Sequence, residues 1–166
     1  MTDYLRLIDD RTGGPRSDIT PLFANAEAFR AVVDALLERT APLNWNIVAG
    51  IDALGFALAG ALAARKGCGL VAIRKQGKLP VQALRESYAH YTGGTEALEL
   101  RDGLLTADDR VLIVDEWIET GATVSAAARL IERSRAQVAG IATLHCDLTP
   151  QHPVFNGTPV VALRRP

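Results

Sequence analysis

Residues 111–123 read VLIVDEWIETGAT. Four apolar residues run into Asp115 and Glu116, a loop of small and hydroxyl residues follows, and a third acid, Glu119, stands inside it. An apolar run of this length bounded by turn residues predicts a buried strand. Beyond it, TVSAAARLIER predicts an amphipathic helix through Val124, Ala127, Ala128 and Ile131. The backbone of the connecting loop and the N-terminus of the helix can hold an anion. Thr120 and Thr123 add hydroxyl donors, and Gly121 lets the backbone approach closely. Asp115 and Glu116 offer acceptors next door, which suits ribose hydroxyls beside a phosphate. The stretch therefore reads as a sugar-phosphate site, although it lacks the lysine and spacing of a Walker A loop. The competing reading is a solvated strand end followed by an N-capped helix.

The same alternation continues on both sides. NAEAFRAVVDALLERT, residues 25–40, places Phe29, Val32, Val33, Leu36 and Leu37 on one helical face, with Asn25 as N-cap. WNIVAG predicts a strand. LGFALAGALAARKG is apolar nearly all round and predicts a buried helix closed by Lys66 and Gly67. GLVAIRK, EALELRD, QVAGIATLH and TPVVALR predict further strands. Residues 75–95, KQGKLPVQALRESYAHYTGGT, break the pattern and read as a long irregular segment of the kind that forms lids. Strands alternating with helices imply an α/β fold with a central, mainly parallel sheet flanked by helices. In such sheets ligands bind beyond the carboxyl ends of the strands. GIDALG, RKQGKLP and DEWIETGAT all fall at such ends.

Composition narrows the partner class. The 166 residues are 48% apolar and 22% charged, with a net charge of −1, which fits one soluble globular domain. No global field recruits nucleic acid or an anionic membrane, so a small molecule is the expected partner. The acidic start MTDYLRLIDD has no apolar core of a signal peptide, and the run GFALAGALAA is too short to span a bilayer. Cys68 and Cys146 stand alone, which is expected of a reducing cytoplasm. His145 and His152 lack metal-ligand spacing, and His90, near Tyr88 in the irregular segment, reads either as a substrate contact that titrates near neutrality or as a solvated side chain.

Residues 111–123 resemble the signature of type I phosphoribosyltransferases, which binds 5-phosphoribosyl 1-pyrophosphate (PRPP). GIDALGFALAGALAARKGCGLVAIRKQGKLP, residues 50–80, and ESYAHYTGGTEALELRDGLL after it are similar to the adenine phosphoribosyltransferase family. The resemblance runs in order over residues 18–135. It implies transfer of 5-phosphoribosyl from PRPP to a ring nitrogen of a purine or purine-like base, with release of pyrophosphate, in purine salvage. It implies one domain over residues 1–166, a hood from about residues 1–24 and 146–166, and a lid at about 75–95. Asp115 and Glu116 would hold the ribose hydroxyls. Glu119, Thr120, Gly121, Ala122 and Thr123 would hold the 5′-phosphate. Ile51, Asp52, Ala53 and Leu54 would form the pyrophosphate loop, with Arg74, Lys75, Lys78 and Ser87 toward the same phosphates. Glu119 and Tyr88 would be catalytic. The resemblance further implies Mg2+ held by PRPP and water rather than by the protein, a homodimer, and a cytoplasmic location.

The chain departs from the adenine pattern at several places. Glu116 replaces a second aspartate, which keeps a carboxylate one methylene further out. Leu54 stands where the pyrophosphate loop has an arginine. Arg16 and Ser17 stand where an aromatic and a basic residue precede DIT. Tyr91 takes the place of a lid glutamate. Ala122 replaces a glycine, a change that costs freedom if the position needs a positive φ. Glu119 replaces a small residue and resembles instead the loop aspartate of the hypoxanthine-guanine enzymes, so the proton-handling acid looks relocated from lid to loop. Adenine is the family's acceptor; a 6-oxopurine or a non-standard base is the alternative that these departures raise. A rival of another class is a PRPP- or nucleotide-binding sensor with little catalysis. Leu54 and the missing lid glutamate favour it, and Lys75, Lys78, Ser87 and Tyr88 oppose it. Trp117 reads as packing between strand and helix, or as a ring that stacks on a ligand.

Overall fold

The computed structural model describes residues 4–13, 17–90 and 93–165; Arg16 and Tyr91 lie outside these. Seven strands form one sheet: β1 (Ile47–Ile51), β2 (Gly69–Lys75), β3 (Ala83–Ala89), β4 (Thr95–Arg101), β5 (Arg110–Ile118), β6 (Gln137–Cys146) and β7 (Val160–Arg164). The helices are α1 (Thr20–Ala24), α2 (Ala26–Thr40), α3 (Gly55–Lys66) and α4 (Ala122–Arg133). The spatial order is β3-β4-β2-β1-β5-β6-β7. β2, β1, β5, β6 and β7 run parallel, while β4 is antiparallel to both β2 and β3. This is the α/β fold with a mainly parallel sheet that the sequence predicts.

β5 shows why its sequence is apolar at every position. Successive side chains of a strand point to opposite faces. Val111 and Ile113 enter the core on the α4 side, and Leu112 and Val114 enter the core shared with α2 and α3. All four are fully buried, so the strand needs apolar residues on both faces. Asn25 caps α2 as predicted, its side-chain oxygen accepting the Ala28 N–H at 2.9 Å. Gly67 closes α3 in the left-handed region at φ 73°.

Three local expectations are corrected. Residues 75–95 are not one irregular segment, because Ala83–Ala89 form β3, paired along its length with β4. This strand has no β-branched residue and a polar face, so propensity does not reveal it. Its edge position makes that composition suitable. Ion pairs from α4 hold it: Arg129 Nε to Glu86 at 2.6 Å and Arg133 Nη1 to Glu86 at 3.1 Å. α3 is buried on one face only, through Gly55, Leu58, Ala59, Leu62 and Ala63, while Ala57 and Ala64 are exposed. Alanine sits on either side of such a boundary, so composition overstates the burial. Finally, β5 does not end at the acid pair but continues to Ile118, paired with β6 as far as Cys146.

Candidate active site

The acid pair lies where β5 outruns its neighbour. β1 pairs with β5 only as far as Gly50 opposite Val114. Asp115 and Glu116 are the next residues, so their edge of β5 faces a crevice instead of a strand. This is the carboxyl-end position that a parallel sheet offers to a ligand. A cleft open to solvent at its mouth occupies it. Asp115, Glu116, Trp117, Glu119, Thr120, Gly121 and Thr123 line one side, and Ile51, Asp52, Lys75, Tyr88 and His90 another.

Glycines set the backbone approach. A Cβ on Gly55 would sit 2.7 Å from the carbonyl oxygen of Val114. The second glycine of GIDALG thus serves the packing of α3 against β5 immediately before the acids. Gly121 has φ 76°, and a Cβ there would meet Val154 Cγ1 at 2.5 Å. It turns the chain into α4; as the N-cap residue it offers no capping side chain, and the Ala122 N–H donates instead to Thr120 Oγ1 at 3.3 Å. Ala122 itself is the first helical residue, and only Gly121 in this loop has a positive φ. The replacement of glycine at 122 therefore carries no backbone cost.

On the opposite wall, the Asp52 carboxylate accepts from Arg74 Nε at 3.0 Å and from the Lys75 N–H at 3.4 Å. Its charge is thereby matched by a neighbouring cation within the same wall. The Asp52–Ala53 peptide bond is cis. Arg74, also stacked over Phe56 at 5.6 Å, is committed to the loop and does not line the cleft. Ala53, Leu54, Lys78, Ser87 and Ala122 are likewise not among the lining residues. Leu54 is 36% exposed at the start of α3. Ser87 and Tyr88 are adjacent on β3, and the two-residue period sends them to opposite faces; Tyr88 is buried in the cleft wall and Ser87 is exposed.

Tyr88 donates its hydroxyl hydrogen to Glu96 at 2.7 Å. Burial, and then this bond to a carboxylate, push the phenol pKa far above its ordinary value, with the Thr123 hydroxyl pulling the other way. Tyr88 is thus neutral at physiological pH, with its hydroxyl hydrogen engaged by Glu96. Two carboxylates on β4 escaped the sequence reading. Glu99, buried, accepts from Arg85 Nη2 at 2.8 Å and from the Gly77 N–H at 2.9 Å, which anchors the turn after β2. Glu96 faces Tyr88 in register. The signal for both was pairing between β3 and β4, which is invisible until β3 is known to be a strand.

Trp117 both packs and lines the cleft. It lies in register with His145 on β6, and the two rings stack at 4.0 Å. Asp147 ties the pair together, accepting the indole N–H at 2.9 Å and meeting His145 Nε2 at 2.8 Å. The indole is therefore a fixed wall of the cleft, held by residues far away in sequence.

The phosphoribosyl transferase domain model matches residues 21–156. An adenine phosphoribosyltransferase from Kineococcus radiotolerans is 47% identical over 148 residues, 88% of this chain and 79% of the relative. The crystal structure of adenine phosphoribosyltransferase from Thermoanaerobacter pseudethanolicus superposes with a TM-score of 0.89 at 29% identity, covering 98% of this chain and 97% of that one. The Saccharomyces cerevisiae enzyme, solved with an imino-altritol bisphosphate and adenine, gives a TM-score of 0.82 at 25% identity, covering 99% and 100% of the two chains. The chain belongs to the phosphoribosyltransferase family. Within it, its similarity is to the adenine phosphoribosyltransferases.

Proposed function

We propose that the chain moves the 5-phosphoribosyl group of PRPP to a ring nitrogen of adenine and releases pyrophosphate. The observation that carries this reading is the meeting, in one cleft, of a carboxylate pair, a helix N-terminal loop and the lysine of the opposite wall. A ribose between two phosphates has that pattern of acceptor and anion needs. Asp115 and Glu116 accept from the ribose 2′ and 3′ hydroxyls. Thr120, Gly121 and Thr123, with the backbone N–H groups opening α4, take the 5′-phosphate. Lys75 meets the pyrophosphate. The C1–oxygen bond to pyrophosphate breaks as the C1–nitrogen bond forms, and the ring proton passes to Glu119, which lines the same cleft. Exclusion of water and charge balance at the departing pyrophosphate supply most of the rate in such a step.

Magnesium enters with the substrate in this reading. The carboxylates of Asp115 and Glu116 would balance the charge of an Mg2+ carried in by phosphate oxygens and water, without ligating it. Among the described residues no cluster of three or more acids, histidines or cysteines is placed to hold a metal without the substrate. Bound there, the ion would offset the charge of the pyrophosphate. The N-terminal segment and the chain end would form the hood; the ion pair between Asp10 and Arg164 at 3.1 Å supports their acting together. No described helix is long and apolar enough to cross a membrane. The reading includes a homodimer acting in the cytoplasm.

The test is pyrophosphate release from PRPP and magnesium with adenine, hypoxanthine, guanine, xanthine, uracil and orotate offered singly. Release with adenine is expected. Release with a 6-oxopurine alone would replace adenine by that acceptor. Binding of PRPP without turnover on any base would replace the enzyme by a sensor.

A further inference from the structure

Three groups that line the cleft share one carboxylate behind its wall. Glu96 on β4 accepts from the Tyr88 hydroxyl at 2.7 Å, lies 3.7 Å from Lys75 Nζ and 3.6 Å from His90 Nε2. Lys75 ends β2, Tyr88 is on β3, and His90 follows β3. A single side chain thus gathers groups from separate segments of the cleft wall. Hydrogen bonding to Tyr88 and the nearby Lys75 charge hold its carboxyl below the ordinary value. It is therefore anionic at neutral pH.

We infer that Glu96 is a positioning residue that competes with pyrophosphate for Lys75. The inference rests on the proposed role of Lys75. At 3.7 Å the pair is an ion pair without the short contact of a hydrogen-bonded one, with the lysine side chain half exposed. Such a pair is weak enough to be exchanged. When pyrophosphate or the pyrophosphate end of PRPP arrives, the ammonium turns from one anion to the other. Tyr88 stays on Glu96 and keeps the β3–β4 hairpin in register with the cleft. Once the bond to C1 has broken, the same carboxylate draws Lys75 back and lowers the affinity for the departing product. Glu96 acts through charge on Lys75 and does not touch substrate.

The experiment is calorimetric titration of the full chain with magnesium pyrophosphate, in native protein, Glu96→Gln, Lys75→Met and the double variant. Glu96→Gln keeps an oxygen to accept the Tyr88 hydroxyl and removes only the charge. Pyrophosphate is expected to bind about threefold more tightly to Glu96→Gln, the scale of one exposed ion pair. The gain should vanish in the Lys75→Met background, where binding is weaker to begin with. Tightening separates this role from a structural one, because damage to the site weakens binding. Unchanged or weaker binding in Glu96→Gln, with Lys75→Met still weakened, overturns the role of Glu96 and leaves the proposed function standing. An equal gain in both backgrounds also overturns it, since the effect then bypasses Lys75. Undiminished binding in Lys75→Met removes the lysine from the pyrophosphate site and the inference with it.

Discussion

Gly121→Ala should damage stability and phosphate binding together, by an amount that can be apportioned. Position 121 has φ 76°, and an added methyl carbon would lie 2.5 Å from Val154 Cγ1 and 3.2 Å from Leu148 Cδ1. The left-handed backbone costs a non-glycine residue about 1–2 kcal/mol. Forcing a methyl group into the contact with Val154 adds about 1–3 kcal/mol. The sum is about 2–5 kcal/mol, and a loss near 3 kcal/mol would lower the melting temperature of a domain this size by roughly 6–12 °C. Val154→Ala alone removes two methyl groups from a partly buried side chain and costs about 1–2 kcal/mol. In the double variant the overlap is relieved while the backbone term remains. Urea unfolding of the four proteins should therefore show the double variant less destabilised than additivity demands, by about 1 kcal/mol or more. PRPP binding should stay weakened in both variants carrying Gly121→Ala, because the loop still changes its path. A loss below about 0.5 kcal/mol in Gly121→Ala, or strict additivity in the double variant, would refute the packing argument.

Other expectations follow from individual groups. Glu119→Gln should lower kcat with adenine by about a hundredfold or more, as loss of a positioned base does; turnover at the native rate would take Glu119 out of the proton transfer. Arg129 and Arg133 hold the Glu86 carboxyl below its usual 4.5. The unfolded chain then binds the proton more readily, so the stabilisation is fully present above the unfolded-state pKa and is lost as pH falls through the folded one. Native protein should exceed Glu86→Gln in unfolding free energy at neutral pH and converge with it in acid; a constant gap across that range would contradict the ion-pair account. Of the two tryptophans, Trp45 is buried in the core and Trp117 lines the cleft. Adenine or AMP should therefore change the tryptophan fluorescence of the native protein and leave that of Trp117→Phe unmoved. A response that survives the substitution would place the acceptor away from the indole.

The sequence by itself determined the alternation of strands and helices outside β3 and α1, because those elements carry their own period. β5 was legible since both of its faces are covered and every residue from Val111 to Val114 is apolar. α2 was legible from its stripe and from the Asn25 cap. Asp115, Glu116 and the Thr120–Thr123 loop were legible because strand, loop and helix N-terminus are contiguous in the chain, so local geometry alone assembles that half of the cleft. The opposite wall was decided only by tertiary structure. β3 has no strong propensity and owes its form to pairing with β4 and to the arginines of α4. Which of Ser87 and Tyr88 faces the cleft depends on that pairing, since a strand shows alternate residues to opposite sides. Glu96 became a partner of Tyr88 through register, and Lys75 joined it through the antiparallel contact of β2 with β4. His145 and Asp147 reached Trp117 because β6 lies beside β5. Chemistry carried by neighbours in the chain can be read from the chain; chemistry carried by neighbours across a sheet waits on which strands pair, and in what register.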